Sequence, residues 1–142
     1  MPRVTYDTNV FIEYQPTYFP QGFVISAVVI QELAAGARDK SRLKQLDGIR
    51  RKYEKQGALL VPTGEDWWFA GKVLNSLYRV VQRHGADAEP TKEQMRIVRD
   101  VLIARTAKRT SVTLVTKNLS DFERIQQFCR VKLVHPDDFF NG

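Results

Sequence analysis

The stretch Val4-Thr5-Tyr6-Asp7-Thr8-Asn9-Val10 changes character at Asp7, and this change indicates how the chain begins to fold. The three residues before Asp7 form a short strand-like run. The side chains of Asp, Thr and Asn are of the kind that accept hydrogen bonds from the free amides at a helix N-terminus. The stretch therefore predicts a strand followed at once by a helix start, with Asp7 at the carboxyl end of the strand.

Further β-type runs follow along the chain, and helical patterns fill the gaps between them. The runs lie at residues 23–25, 58–61, 112–115 and 131–134, and the clearest helical patterns lie at 27–37, 67–81 and about 91–108. Parallel neighbours require a crossover connection, so strands that alternate with helices predict a mostly parallel sheet covered on both faces. We expect an α/β fold with a central sheet of about five strands. Trp67, on an apolar stripe, is expected to pack in the core.

Length and composition favour one soluble domain. A chain of 142 residues with 43% hydrophobic and 27% charged residues matches a single domain spanning 1–142. The N-terminus lacks the layout of a secretory signal, and no apolar run approaches the ~18 residues of a membrane span. We therefore expect a cytoplasmic protein without a membrane partner. Cys129 is the only cysteine, which excludes an intrachain disulfide and a zinc site of several thiolates.

The charge balance favours a polyanionic partner. The chain has 22 Lys and Arg against 16 Asp and Glu, a net charge of +6, and cationic side chains that neutralise phosphates release condensed counterions. A basic stretch spans residues 38–55. It is either a solvated helix face or an RNA phosphate contact, and the candidates for such a contact are Arg42, Arg50, Arg51 and Lys55.

Four acidic residues lie where a parallel α/β fold would bring them to one edge: Asp7, Glu32, Asp100 and Asp121. Such sheets bind ligands beyond the carboxyl ends of their strands. Glu32 and Asp100 lie in helical stretches with small or apolar residues three and four positions away. An ion pair with an Arg or Lys fits Glu32 equally well, and Arg96 is a possible partner for Asp100.

A polar segment follows the run at 112–115. It contains Ser120-x-x-Glu123, a capping box that predicts a helix start. This leaves Thr116, Asn118 and Asp121 as polar groups just beyond a strand. Hard divalent cations prefer oxygen ligands, so the acids and their polar neighbours indicate a metal-ion nuclease site.

Four stretches in this order resemble a PIN domain, and by pattern the VapC-like toxins in particular. They are Tyr6-Asp7-Thr8-Asn9-Val10-Phe11, Val29-Ile30-Gln31-Glu32-Leu33-Ala34-Ala35-Gly36, Asp100-Val101-Leu102-Ile103-Ala104 and Leu114-Val115-Thr116-Lys117-Asn118-Leu119-Ser120-Asp121-Phe122. The resemblance runs from residue 4 to about residue 136. Arg105 departs from the pattern, because such sequences commonly place a small residue there.

The resemblance implies a three-layer α/β/α fold, an endoribonuclease dependent on Mg²⁺ or Mn²⁺, a cognate antitoxin and a homodimer. Asp7, Glu32, Asp100 and Asp121 carry over as the catalytic and metal-binding acids. Thr8, Asn9, Thr116 and Asn118 carry over as polar supports.

Two other functions remain open at this point. Aspartate-nucleophile phosphatases and dehalogenases also place Asp after the first strand, but they usually need a second Asp two residues later, where this chain has Asn9. A non-catalytic RNA-binding module would keep the fold without turnover.

Overall fold

The computed structural model describes residues 3–14, 19–78 and 91–141. Within these residues the chain forms five short strands and seven helices. The strands are β1 (Val4–Tyr6), β2 (Ile25–Ser26), β3 (Leu59–Leu60), β4 (Thr113–Val115) and β5 (Leu133–Val134). The helices are α1 (Thr8–Glu13), α2 (Ala27–Ala35), α3 (Lys40–Lys55), α4 (Gly64–Tyr78), α5 (Lys92–Arg109), α6 (Leu119–Gln126) and α7 (Pro136–Asn141).

Every strand pairing is parallel, as the alternation of strands and helices predicted. The strands form a three-stranded sheet in the order β1-β4-β5 and a two-stranded sheet, β2-β3. Among the described residues, a backbone hydrogen bond of 3.0 Å from Val24 N, just before β2, to Val4 O connects this segment to β1. The expected five strands are therefore present, in two neighbouring parallel sheets.

The register of β1 against β4 determines where the candidate site lies. Tyr6 is paired with Val115, so both strands end at the same level. Asp7 and Thr116 follow directly and emerge at one edge of the sheet. This confirms the placement that the sequence predicted for the two residues.

The sheet is covered on both faces. Successive side chains of a strand point to opposite faces, and Leu114 packs in a core built with α2, α4, α5 and α6. Val115 instead packs with Tyr6 and Val10 in a second, aromatic-rich core that includes Phe139 and Phe140 of α7. The helices thus form a layer on each side of the strands, and the predicted α/β/α fold is confirmed.

The docking of α4 on α5 explains two features of the sequence. Asp66 is fully buried and accepts hydrogen bonds from Arg105 Nε at 3.0 Å and Arg109 Nη2 at 2.6 Å. The Arg105 guanidinium also lies 4.4 Å from the ring centroid of Phe69. The next residue, Trp67, is 56% exposed and lines a groove with Met95 and Val98 of α5. The prediction that Trp67 packs in the core was wrong.

The start of α6 also differs from the prediction. The helix begins at Leu119 with Asn118 at its N-cap, so Ser120 lies inside the first turn and no Ser120–Glu123 capping box forms. The Asn118 side chain makes no capping hydrogen bond. Asp121 stays in the first turn, where a negative charge is favoured by the helix dipole.

No helix in the described ranges is both long enough and apolar enough to cross a membrane.

Candidate active site

Asp7 is the most firmly held of the four acids. Its backbone amide donates to Val115 O at 2.9 Å, which anchors it to β4. Its Oδ1 accepts from Thr8 N at 2.8 Å, the expected N-cap bond of α1. Its Oδ2 accepts from Thr116 Oγ1 at 2.8 Å and from Asn9 Nδ2 at 3.3 Å. The side chain of this buried aspartate is therefore fixed before any ligand binds.

The loop after β4 is fastened to α1 by the same polar residues. Thr116 Oγ1 accepts from Asn118 N at 3.0 Å, and Asn9 Oδ1 accepts from Lys117 N at 3.4 Å. The Lys117 ammonium forms an ion pair with Glu13. Thr116 and Asn9 thus contact Asp7 directly, whereas Asn118 joins the network through its backbone amide.

Glu32 lies on α2, whose N-terminus is capped by Ser26. Burial and the nearby charge of Asp7 raise the pKa of Glu32, while Arg99 and the Thr8 hydroxyl lower it. The Thr8 hydroxyl is buried and faces Glu32, so it favours the charged form of that carboxylate.

Asp100 lies on α5 and interacts with all three other acids. Burial, together with the charges of Asp7, Asp121 and Glu32, raises the pKa of Asp100 to about 8 against an opposing effect of Arg96. Arg96 is near but does not form an ion pair with Asp100, and in the described part of the chain Glu32 has no ion pair either. The ion-pair interpretations of both acids are therefore not supported.

The four acids lie within electrostatic range of one another at the edge of the sheet. Burial raises the pKa of Asp7, hydrogen bonds from Thr116, Thr8 and Asn9 lower it, and the charge of Asp121 raises it. In the part of the chain that the structure describes, no cationic side chain forms an ion pair with any of these acids, so a bound cation would relieve their mutual repulsion.

The chemistry of these side chains fits a hard divalent cation. Carboxylate and hydroxyl oxygens are suitable ligands, and Mg²⁺ commonly binds through one or two carboxylates with water completing its shell. Among the residues the structure describes, no three Asp, Glu, His or Cys side chains are already arranged to hold a metal ion.

Several arginines near the acids were not predicted from the sequence to be part of the site. Arg96 and Arg124 line a small cavity with Asp100 and Asp121, and Arg38 lines a groove with Glu32. Arg96 lies one turn before Asp100 and Arg124 one turn after Asp121, and this helical spacing was the available signal.

The four predicted phosphate contacts lie in different surroundings. Arg42 lines the groove beside Glu32. Arg50 forms ion pairs with Asp47 and Glu54, and Arg51 pairs with Asp47, all within α3. Lys55 is the last residue of that helix. Phosphate binding by this stretch stays a prediction.

Solved structures supply the comparison with known proteins. A chain of the DNA-bound VapBC complex from Salmonella typhimurium matches with a TM-score of 0.58 and 21% identity over 95% of this chain and 98% of that one. The protein has the same fold as that chain. VapBC2 from Rickettsia felis, bound to a promoter DNA fragment, matches with a TM-score of 0.57 and 18% identity over 93% and 97% of the two chains. A chain of VapBC-1 from nontypeable Haemophilus influenzae matches with a TM-score of 0.53 and 21% identity over 93% of this chain and 96% of that one.

These likenesses establish the fold, which agrees with the PIN-like architecture expected from the sequence. No protein-family model matches the chain, and no curated protein matches it.

Proposed function

We propose that this protein is a metal-dependent endoribonuclease and the toxin of a VapBC-type toxin–antitoxin pair. The observation that carries the proposal is the convergence of Asp7, Glu32, Asp100 and Asp121 at the carboxyl end of parallel strands. The fold shared with chains of VapBC complexes supports it. The net charge of +6 favours a polyanionic substrate.

In the proposed reaction Asp7, Asp100 and Asp121 hold Mg²⁺ or Mn²⁺, directly or through water, and Glu32 helps to bind it. When bound, such a cation lowers the pKa of water and offsets the charge that develops on a phosphate during hydrolysis. Asp7 is held by three hydrogen bonds, so its position does not need to be reorganised. Glu32 orients the attacking water. From the family resemblance we expect the cleaved RNA to carry a 5′ phosphate.

The test is cleavage of single-stranded RNA by wild type and by Asp7→Asn. Wild type should cut in Mg²⁺ or Mn²⁺ and stop cutting in excess EDTA. Asp7→Asn should be inactive with an unchanged circular dichroism spectrum. Asp138→Asn removes an exposed aspartate of α7 and serves as the matched control with wild-type activity. Cleavage that persists in EDTA would contradict the proposal of a metal-dependent nuclease.

The same assay separates the two rival functions. A non-catalytic RNA-binding module would bind RNA but leave it uncut in every metal. A phosphatase or dehalogenase would turn over a small phosphate ester or haloacid instead. Asn9 stands where those enzymes usually need a second aspartate, and its carboxamide cannot serve as an acid or a base. Its Nδ2 instead donates to Asp7 Oδ2.

The partners belong to the proposal as well. A cognate antitoxin is supported by the VapBC complexes that share the fold, and a homodimer rests on the family resemblance. Co-purification with the product of an adjacent small gene tests the first, and light scattering tests the second. A monomer at high concentration would count against the dimer. A cytoplasmic location remains an expectation.

A further inference from the structure

A groove of about 310 Å³ opens beside Glu32. It lies between α2 and the start of α3, and Arg38 and Arg42 contribute its positive charge. Arg38 makes no hydrogen bond or ion pair within the described residues. Arg42 Nη1 donates to Gln45 Oε1 at 2.7 Å, which leaves its other N–H groups free. Two guanidinium groups are thus available to an anion next to one acid of the candidate site.

A second arginine-lined surface lies beside Asp100 and Asp121. A cavity of about 10 Å³, roughly the space of one water, is lined by both acids together with Arg96 and Arg124. Arg96 also lines a wider adjoining groove of about 520 Å³. Neither arginine side chain has an ion pair in the described part of the chain. The second surface therefore resembles the first in its chemistry.

The strand order places Asp7 between the two surfaces. β1 lies between β2 and β4, Glu32 is on the helix that follows β2, and Asp121 is on the helix that follows β4. Four carboxylates repel a phosphate backbone, so a nucleic acid needs cations on either side to stay there. Arginine suits this because its planar fork donates two parallel hydrogen bonds to a phosphate.

We infer that a single RNA strand crosses the acid cluster, with phosphates on one side bound by Arg38 and Arg42 and phosphates on the other side bound by Arg96 and Arg124. The inference rests on the proposed function, since it defines the substrate path through that site. It also assigns phosphate binding to Arg42 and not to Arg50 or Arg51. Those two residues lie on the same helix as Arg42 but form ion pairs with Asp47 and Glu54.

The experiment measures RNA binding in the Asp7→Asn background, so that cleavage does not interfere. A labelled single-stranded RNA is titrated in EDTA at several salt concentrations. Three variants each remove two positive charges: Arg38→Gln/Arg42→Gln, Arg96→Gln/Arg124→Gln and, for comparison, Arg50→Gln/Arg51→Gln. Each lost phosphate contact should reduce the slope of log affinity against log salt by about 0.7. The first two variants should therefore lose about 1.4 each, and the third almost nothing.

A second set of variants tests the same contacts if a Gln substitution unfolds the protein. Arg38→Lys/Arg42→Lys and Arg96→Lys/Arg124→Lys retain the charge but lose the planar fork. They should keep most of the salt slope while the affinity falls by about tenfold. Melting curves identify any variant that is not folded.

Two outcomes would overturn the inferred path of the strand. One is an equal loss of slope in Arg50→Gln/Arg51→Gln, which would assign binding to the basic helix as a whole. The other is an unchanged slope in both site variants. Equal arginine dependence for duplex DNA would overturn the assignment of RNA as the ligand. Arginine-dependent binding by a chain whose wild type never cuts RNA would instead overturn the proposed function and leave the binding path intact.

Discussion

Thr116 Oγ1 donates a 2.8 Å hydrogen bond to Asp7 Oδ2 across 109 residues of sequence. Thr116 is fully buried and also accepts from Asn118 N. One hydroxyl therefore joins the ends of β1 and β4 and holds a carboxylate that burial would otherwise protonate more readily.

Removing that hydroxyl should weaken both the fold and the site. Thr116→Val takes a hydrogen bond from a buried carboxylate, so we expect about 1–2 kcal/mol less stability at pH 7. The pKa of Asp7 should rise further, since the lost bond favours the charged form. RNA cleavage should fall about tenfold or more, as expected when a supporting contact of a metal ligand is lost. Urea denaturation and cleavage rates check both effects.

Thr5→Val is the matched control for this change. Thr5 is also fully buried, on β1, but its hydroxyl has no hydrogen-bond partner within the described residues. The same substitution should leave stability and cleavage within error of wild type. Equal losses in both variants would show that the Thr116 effect is one of packing.

Asp100→Asn should be inactive yet at least as stable as wild type without metal. Burial raises the pKa of Asp100 to about 8, so between about pH 4 and pH 8 the folded state holds a proton that the unfolded state has released. Wild-type stability in EDTA should therefore fall as pH rises through this window and level off above pH 8. Asp100→Asn should lack this dependence and gain less from Mg²⁺.

Thermal melts of both proteins across this pH range, in EDTA and in Mg²⁺, provide the measurement. Asp138→Asn, at an exposed position, should follow wild type. A markedly lower melting temperature for Asp100→Asn in EDTA would mean that the Asp100 carboxylate stabilises the fold and is not destabilised by repulsion from the other acids.

Asp66→Asn should destabilise the fold without a direct effect on the site. Burial raises the pKa of Asp66, but hydrogen bonds from Thr63, Arg109 and Arg105 outweigh it and the pKa is lowered. Breaking a buried ion pair costs 3–5 kcal/mol. Because both arginines are partly exposed, we expect Asp66→Asn to lower the free energy of unfolding by about 2–3 kcal/mol.

The stability contributed by Asp66 should depend on pH. A carboxyl with a lowered folded pKa contributes stability above its unfolded pKa near 4, and the contribution is lost as pH falls through the folded pKa. The difference between Asp66→Asn and wild type in urea denaturation should thus be full at pH 7 and shrink below pH 4. Glu65→Gln, one exposed residue earlier on α4, should change little. A constant difference down to pH 2 would contradict the ion-pair explanation.

Tyr6→Phe should be as stable as wild type or more stable by up to about 1 kcal/mol. Tyr6 is fully buried among the rings of Phe11, Phe19, Phe23 and Phe139, and its hydroxyl has no hydrogen-bond partner in the described residues. Burial raises the pKa of the phenol to about 12. Tyr6→Leu keeps an apolar side chain but loses the ring contacts, so it should lose about 2–4 kcal/mol in denaturant melts. A strongly destabilised Tyr6→Phe would reveal a partner for the hydroxyl.

The sequence by itself determined the local structure and the candidate acids. Hydrophobic runs and helical periodicity marked each strand and the three clearest helices, and the Asp7-Thr8-Asn9 segment marked the start of α1, because backbone propensity and capping act between neighbouring residues. Where two residues gave the same local signal, the sequence did not determine which of them starts the helix. Asn118 and Ser120 are both capping residue types, and the β4 loop placed Asn118 at the N-cap.

The tertiary structure alone decided which distant residues meet. The Tyr6–Val115 register brought Asp7 to Thr116, and helix packing paired Asp66 of α4 with Arg105 of α5. It also brought Arg96 and Asp100 of α5 together with Asp121 and Arg124 of α6. These contacts join residues far apart in the chain, and they arise from strand register and helix packing, which no local pattern of side chains encodes.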